Sequence, residues 1–238
     1  MPVKNSLKTY VEDGYYHLYN RGINKAEIFN NSQDYGVFLS YLKNYLLPKD
    51  EKKLFIMLQS KNNSFSEKDT ALKLLRLENY FDRIQLIAYC LMPNHFHMLV
   101  HQTNRDDIQF FMKSLLTRFV KYINQKYKRT GPLFEGRYKA VLIQSDEQLV
   151  FLSRYIHRNP IGNNSNILYN DELQKILTNK PSSYDNYLHK VKQSWVKPAI
   201  ILSHFSDKGF NSYQSFVEDT ALEERSKGII YDAMLDNL

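Results

Sequence analysis

The sequence predicts an α+β fold, an antiparallel sheet with helices packed on one face. Two observations carry this. Short apolar runs bounded by turn residues alternate with longer segments whose apolar residues recur at helical spacing. Two of the short runs are separated only by Met92-Pro93-Asn94, room for a tight turn and nothing more.

The elements follow in order. Tyr15 to Asn20 (YYHLYN) reads as a strand ending at Arg21-Gly22. Ser32 to Leu47 reads as a helix, with Ser32 as N-cap, Phe38, Leu39, Leu42 and Leu46 on one face, and Pro48 as stop. Lys49 to Lys68 is polar and is expected as a loop or insertion, with a short helix over Ala71 to Tyr80. Ile84 to Leu91 is a buried strand, and His95 to His101 pairs with it as a hairpin. Ile108 to Lys128 is the clearest helix, striped by Phe111, Leu115, Phe119, Tyr122 and Ile123 and ended by Gly131-Pro132. Leu133 to Gln144 reads as a strand. Asp146 to Arg158 reads as a second long helix, capped by Ser145 or Asp146 and stopped by Asn159-Pro160. The first six elements match a split βαβ, or ferredoxin-like, arrangement, and the seventh is an extra helix carrying Tyr155. Residues 161–238 are expected as a mostly helical C-terminal extension to a 1–160 domain that holds the polar insertion at about 49–80.

Composition narrows the partners. Lys and Arg total 32 against 25 Asp and Glu, a net charge of +7, which favours a polyanion. The charge is concentrated: Lys113 to Lys139 holds eight basic residues and one acid, Glu135, whereas Ser215 to Leu238 holds six acids and two bases. Tyrosines (18) and phenylalanines (14) are numerous enough to serve both core packing and stacking on unpaired bases. One cysteine, Cys90, precludes an internal disulfide, no apolar stretch is long enough to span a membrane, and the N-terminus has no apolar signal core. A cytoplasmic protein with no membrane partner is expected.

Two features point to chemistry. His95 and His97 are two apart on a strand, so both imidazoles project from one face, a spacing suited to one divalent metal; His101 shares their parity but lies further along. Tyr155 and Asn159 are four apart and share a helix face, so Asn159 can offer a carbonyl oxygen to a metal while Tyr155 reaches a substrate. Neither feature is decisive alone, since strand histidines and helix tyrosines are more often scaffold.

Taken together, three ordered blocks resemble one family. The run Ala88 to Val100, containing His95-Phe96-His97, is similar to the His-hydrophobic-His (HUH) signature of single-tyrosine transposases. Gly131-Pro132-Leu133-Phe134-Glu135-Gly136-Arg137-Tyr138-Lys139 is similar to the next block, and Arg154 to Pro160 to the block with the nucleophilic tyrosine. The branch most resembled is the REP-associated tyrosine transposases. Ser182-Ser183-Tyr184 with Trp195 is similar to their C-terminal extension.

The resemblance implies an enzyme that cleaves and rejoins single-stranded, hairpin-forming DNA through a covalent 5′-phosphotyrosine on Tyr155, with Mg²⁺ or Mn²⁺ held by His95, His97 and Asn159. Arg118, Lys121, Arg137 and Lys139 are then candidates for phosphate contacts. Monomer and homodimer both remain open. The alternatives are a domesticated, non-cleaving binder of hairpin DNA or RNA, and a metal-dependent hydrolase in which water attacks and Tyr155 is scaffold.

Overall fold

The computed structural model describes residues 9–162, 171–179 and 181–231. Four antiparallel strands form one sheet in the order β2-β3-β1-β4: β1 (Gly14–Arg21), β2 (Ile84–Met92), β3 (His95–Gln102) and β4 (Lys139–Leu142). This is the strand order of the split βαβ arrangement. β1 and β3 run through the middle, in register from Gly14 opposite Gln102 to Arg21 opposite His95.

Even-numbered residues of β1 and β3 (Tyr16, Leu18, Phe96, Met98, Val100) face α1 (Ser32–Leu46) and α4 (Asp107–Lys126), which contribute Phe38, Leu42, Phe111, Leu115 and Phe119 to one core. Odd-numbered residues face the other way. There Leu99 joins Ile87, Ala88 and Cys90 in a second core with α5 (Asp146–Arg158), which supplies Leu149, Leu152 and Ile156. The chain is therefore three-layered: α1 and α4 on one face, α5 on the other. The two sides of the sheet are chemically distinct, because the period-2 pleat sends apolar residues of β1 and β3 to one face and most of their histidines to the other.

Several expectations are corrected. The polar stretch expected as a loop at 49–68 forms α2 (Glu51–Gln59) and the start of α3 (Phe65–Arg76), and that helix ends before Tyr80. Both helices are fixed by their caps. Asp50 accepts from the Lys53 amide, and Ser64 with Glu67 forms a reciprocal capping box, a Ser-x-x-Glu signature present in the sequence. Asn31, not Ser32, caps α1 by accepting from the Asp34 amide. The strand expected over 133–144 shortens to β4. The backbone of residues 133–135 meets the end of β1 through isolated bonds, Ile23 N to Leu133 O at 3.0 Å and Glu135 N to Arg21 O at 3.0 Å.

The residues after Ile161 include α6 (Asp171–Asn179), α7 (Tyr184–Tyr187), α8 (Ala199–Leu202), α9 (Tyr213–Glu218) and α10 (Glu223–Ile229). Asp232 and Asp236, two acids of the expected acidic end, lie outside the described residues. The described part lies along the outer edge of β2 and over α5. Leu91 N donates to Pro181 O at 2.9 Å, Ser183 N to Tyr89 O at 3.0 Å and Lys197 N to Leu86 O at 2.8 Å, so backbone groups that an open sheet edge exposes are met from within the chain. Trp195 stacks on Tyr89 with ring centroids 5.5 Å apart.

On α5, Arg154 is only 1% exposed. Its Nε donates to Phe216 O at 2.9 Å and its Nη2 to Asp219 O, while Arg158 Nη1 donates to Val217 O at 2.7 Å. His157, wholly buried, bridges the same two segments. Tyr213 Oη donates to Ser153 Oγ (3.0 Å), so His157 Nδ1–H donates to Tyr213 Oη (2.7 Å) and Nε2 accepts from Ser183 Oγ (2.8 Å). Burial holds this imidazole neutral, pushing its pKa down to about 3.

Candidate active site

The site is built where β3 leaves the hairpin turn. Pro93 O accepts from both Ile28 N (2.7 Å) and Phe29 N (3.0 Å), and Asn94 O accepts from Gly22 N (2.8 Å). Gly22 is required by close approach: a Cβ there would lie 2.1 Å from Ala26 O. The turn is thus clamped by the segment that follows β1, and His95, the first residue of β3, starts from a fixed position.

His97 lies directly across from Tyr19 and from Cys90, and Tyr19 lies directly across from Lys139. Paired residues share a face, so Cys90, His97, Tyr19 and Lys139 form one row across the sheet beneath α5. The adjoining row holds Met92, His95 and Arg21. The rings of His95 and His97 are 5.1 Å apart, at 84°. Tyr155, half-buried on α5, sets its ring edge-on to His97 at 5.4 Å and to His17 at 6.2 Å. Asn159 is the C-cap of α5, and its Oδ1 lies 2.8 Å from His95 Nε2.

Three of the groups fit a divalent cation. Asn94 donates its Nδ2 to Lys25 O at 3.2 Å, which turns its Oδ1 toward His95 Nδ1 at 2.6 Å. His95 Nδ1–H donates there, leaving the Nε2 lone pair facing Asn159 Oδ1. Two acceptors at that separation match neighbouring ligands of an octahedral ion, which lie about 3 Å apart when each is about 2.1 Å from the metal.

His97 gives the second sign. Its side chain is fully buried and its Nε2 is a buried polar atom with no hydrogen-bond partner among the described residues. Burial, with His17 and His95 beside it, holds its pKa well below the ordinary histidine range, so the ring is neutral and able to ligate. Among the described residues no group of three or more His, Cys, Asp or Glu gathers for a metal. An amide oxygen such as that of Asn159 is what extends the donor set beyond two imidazoles.

The four expected phosphate-contact residues fall in two places. Lys139 shares the row of His97, and Arg137 is exposed on the loop leading into β4. Arg118 lies on α4, across the sheet, with its guanidinium 4.0 Å over the Tyr41 ring, and Lys121 is exposed on the same helix. The structure brings together His95, His97, Tyr155, Asn159 and Lys139, but not Arg118 or Lys121.

Two residues of the site were not anticipated. His17, fully buried, places its Nε2 2.8 Å from His97 Nδ1. Arg21, next to His95, makes a two-pronged ion pair with Glu135, Nε to Oε1 at 3.0 Å and Nη2 to Oε2 at 3.2 Å. The only sequence signal for His17 was its place in the YYHLYN strand, and its partner is 80 positions away.

The arrangement offers a phenol, two imidazole lone pairs, an amide oxygen and an ammonium on one face. That is equipment for phosphate chemistry. A comparison with curated proteins finds no match. Among solved structures, the chain is similar to a REP-associated tyrosine transposase bound to a REP hairpin, with 11% identity, a TM-score of 0.46, and coverage of 82% of this chain and 98% of that one. The family model described as "Transposase IS200 like" matches residues 60–159. That segment contains His95, His97, Tyr155 and Asn159.

Proposed function

We propose that this protein is a transposase that cuts and rejoins single-stranded, hairpin-forming DNA, with Tyr155 as the nucleophile. The observation that carries the reading is the edge-on approach of the Tyr155 ring to His97, whose Nε2 has no hydrogen-bond partner among the described residues. A hydrolase using water needs no phenol at that position.

The Tyr155 hydroxyl attacks the scissile phosphorus and gives up its proton. The bond from phosphorus to the 3′ oxygen breaks, that oxygen takes up a proton and leaves as a 3′-hydroxyl, and the phosphate stays on the 5′ oxygen of the downstream nucleotide, now joined to the phenolic oxygen. Attack by a 3′-hydroxyl on this ester reverses the step and frees Tyr155, so strands rejoin with no external energy source. His95, His97 and Asn159 would hold a divalent cation, Mg²⁺ or Mn²⁺, which when bound would supply positive charge to the reacting phosphate.

Lys139 and Arg137 hold the phosphates near the cut. Arg118 and Lys121, on the far layer, meet the DNA beyond the cleaved strand. Residues 1–160, with the insertion at 49–80, form the catalytic unit, and 161–238 form a C-terminal extension whose described part packs over α5. No helix among the described residues is long and apolar enough to cross a membrane. The protein acts in the cytoplasm, as a monomer or a homodimer.

The experiment is a denaturing gel of labelled hairpin DNA incubated with protein and Mn²⁺. Wild type is expected to yield a covalent protein–DNA band that chelator abolishes and that Tyr155→Phe lacks. Cleavage without any covalent band favours the hydrolase reading, and binding without cleavage favours a non-cleaving regulator.

A further inference from the structure

We propose that His17 is a positioning residue for the metal site: its Nε2 accepts the Nδ1 proton of His97 and so fixes the tautomer that turns a bare Nε2 toward the cation. The inference rests on the metal reading above and adds to it a residue outside the matched family segment, which begins at residue 60.

The two nitrogens are 2.8 Å apart, the ring planes differ by 18°, and the centroids are 5.0 Å apart. That centroid separation is close to the N···N distance plus the two ring radii. The rings therefore lie edge to edge in nearly one plane, the geometry of an N–H···N bond and not of face stacking. One nitrogen must donate. If His17 donated, His97 would carry its proton on Nε2 and bury an unsatisfied N–H. If His97 donates, Nε2 keeps a lone pair, which is the form a metal needs.

His17 is suited to holding that bond. It sits in the middle of central strand β1, directly opposite Leu99 on one side and Val141 on the other, and diagonal to His97. Its ring packs against Tyr19 at 4.7 Å and edge-on to Tyr155 at 6.2 Å. It is fully buried in a row that apolar side chains could fill. Its Nε2 is already engaged by His97, so it supports a ligand instead of being one. Ligating histidines commonly give their second N–H to such an outer partner, and its loss costs about 10–100-fold in metal affinity.

The test measures Mn²⁺ affinity calorimetrically on DNA-free wild type, His17→Phe, His17→Gln and His97→Ala, with melting temperature and hairpin-DNA binding in chelator as controls. Phe fills the volume without an acceptor, and Gln restores an acceptor oxygen near the place of Nε2. We expect His17→Phe to weaken Mn²⁺ about 10–100-fold, His17→Gln to recover most of that loss, and chelator-insensitive DNA binding to stay unchanged in both. Wild-type affinity in His17→Phe, or equal loss in Phe and Gln, overturns the role of His17. Unchanged affinity in His97→Ala overturns the metal reading itself, a separate outcome.

Discussion

Replacing Arg154 with methionine should uncouple the C-terminal segment from α5. The guanidinium is buried and gives hydrogen bonds to Phe216 O and Asp219 O, with Glu223 at 3.5 Å. Burial pulls its pKa down to about 10, still far above neutrality, so these bonds are charge-assisted. Bonds to a charged group contribute roughly 1.5–3 kcal/mol each, and a carbonyl left buried and unpaired costs about 1–3 kcal/mol. Methionine relieves the desolvation of the guanidinium and refills part of the space, which offsets some of that loss. A net destabilisation of about 3 kcal/mol follows, and for a chain of this size it lowers Tm by roughly 6–12 °C. Urea unfolding should show the same change in midpoint with an unaltered slope. Glu223 is 44% exposed, so Glu223→Ala should cost under about 1 kcal/mol. A loss below about 1 kcal/mol in Arg154→Met, or one matched by Glu223→Ala, would refute the view that the two carbonyls anchor the segment.

His95→Ala and His97→Ala should each abolish strand cleavage while leaving hairpin binding in chelator intact, read by gel shift and denaturing gel on the same samples; cleavage at wild-type rate in excess chelator counts against a metal. Arg137→Ala with Lys139→Ala should weaken binding and flatten its salt dependence by about one unit of slope per lost phosphate contact, and an unchanged slope moves the DNA off this face. Asp34→Ala should cost about 2–4 kcal/mol in thermal or urea unfolding, because Lys126, Tyr122, Tyr127 and the Asn30 amide all bond its buried carboxylate. For pH, burial pushes the Asp34 carboxyl up, but its bonds to Lys126, Tyr127, Asn30 and Tyr122 outweigh this and hold it below the usual carboxylate range. Its contribution is therefore complete above about pH 4 and fades as pH falls through the native value; Asp34→Asn should flatten that acid limb, and an identical acid profile would contradict the assignment.

The sequence made legible whatever depended on local period or on nearest neighbours. The parity of His95 and His97, the apolar stripe of α4 and the Ser145 cap of α5 are all properties of a few consecutive residues, and they hold in the fold. α2 and α3 escaped because they are polar and bury little beyond Leu54 and Ala71, so no strong period marks them; the Ser64–Glu67 capping box was the local signal. The basic cluster from Lys113 to Lys139 was read as one feature, yet the sheet lies between Arg118 and Lys139. Charge along a chain does not report which layer it enters.

His17 and Arg154 were illegible for a different reason. Each is an ordinary strand or helix residue whose partner is fixed only by the tertiary fold, His97 at a separation of 80 residues and Phe216 at 62. The same holds for His157, whose neutral bridge between Ser183 and Tyr213 has no trace in local sequence.

The central claim is that Tyr155 forms the bond to DNA. Its most direct test is to incubate the protein with Mn²⁺ and hairpin DNA labelled at the scissile phosphate, digest the product with protease and nuclease, and locate the label by mass spectrometry. A single phosphonucleotide is expected on the peptide containing Tyr155, attached through the 5′ phosphate. Label on any other residue, or its recovery only on free DNA ends at every time point, would contradict it.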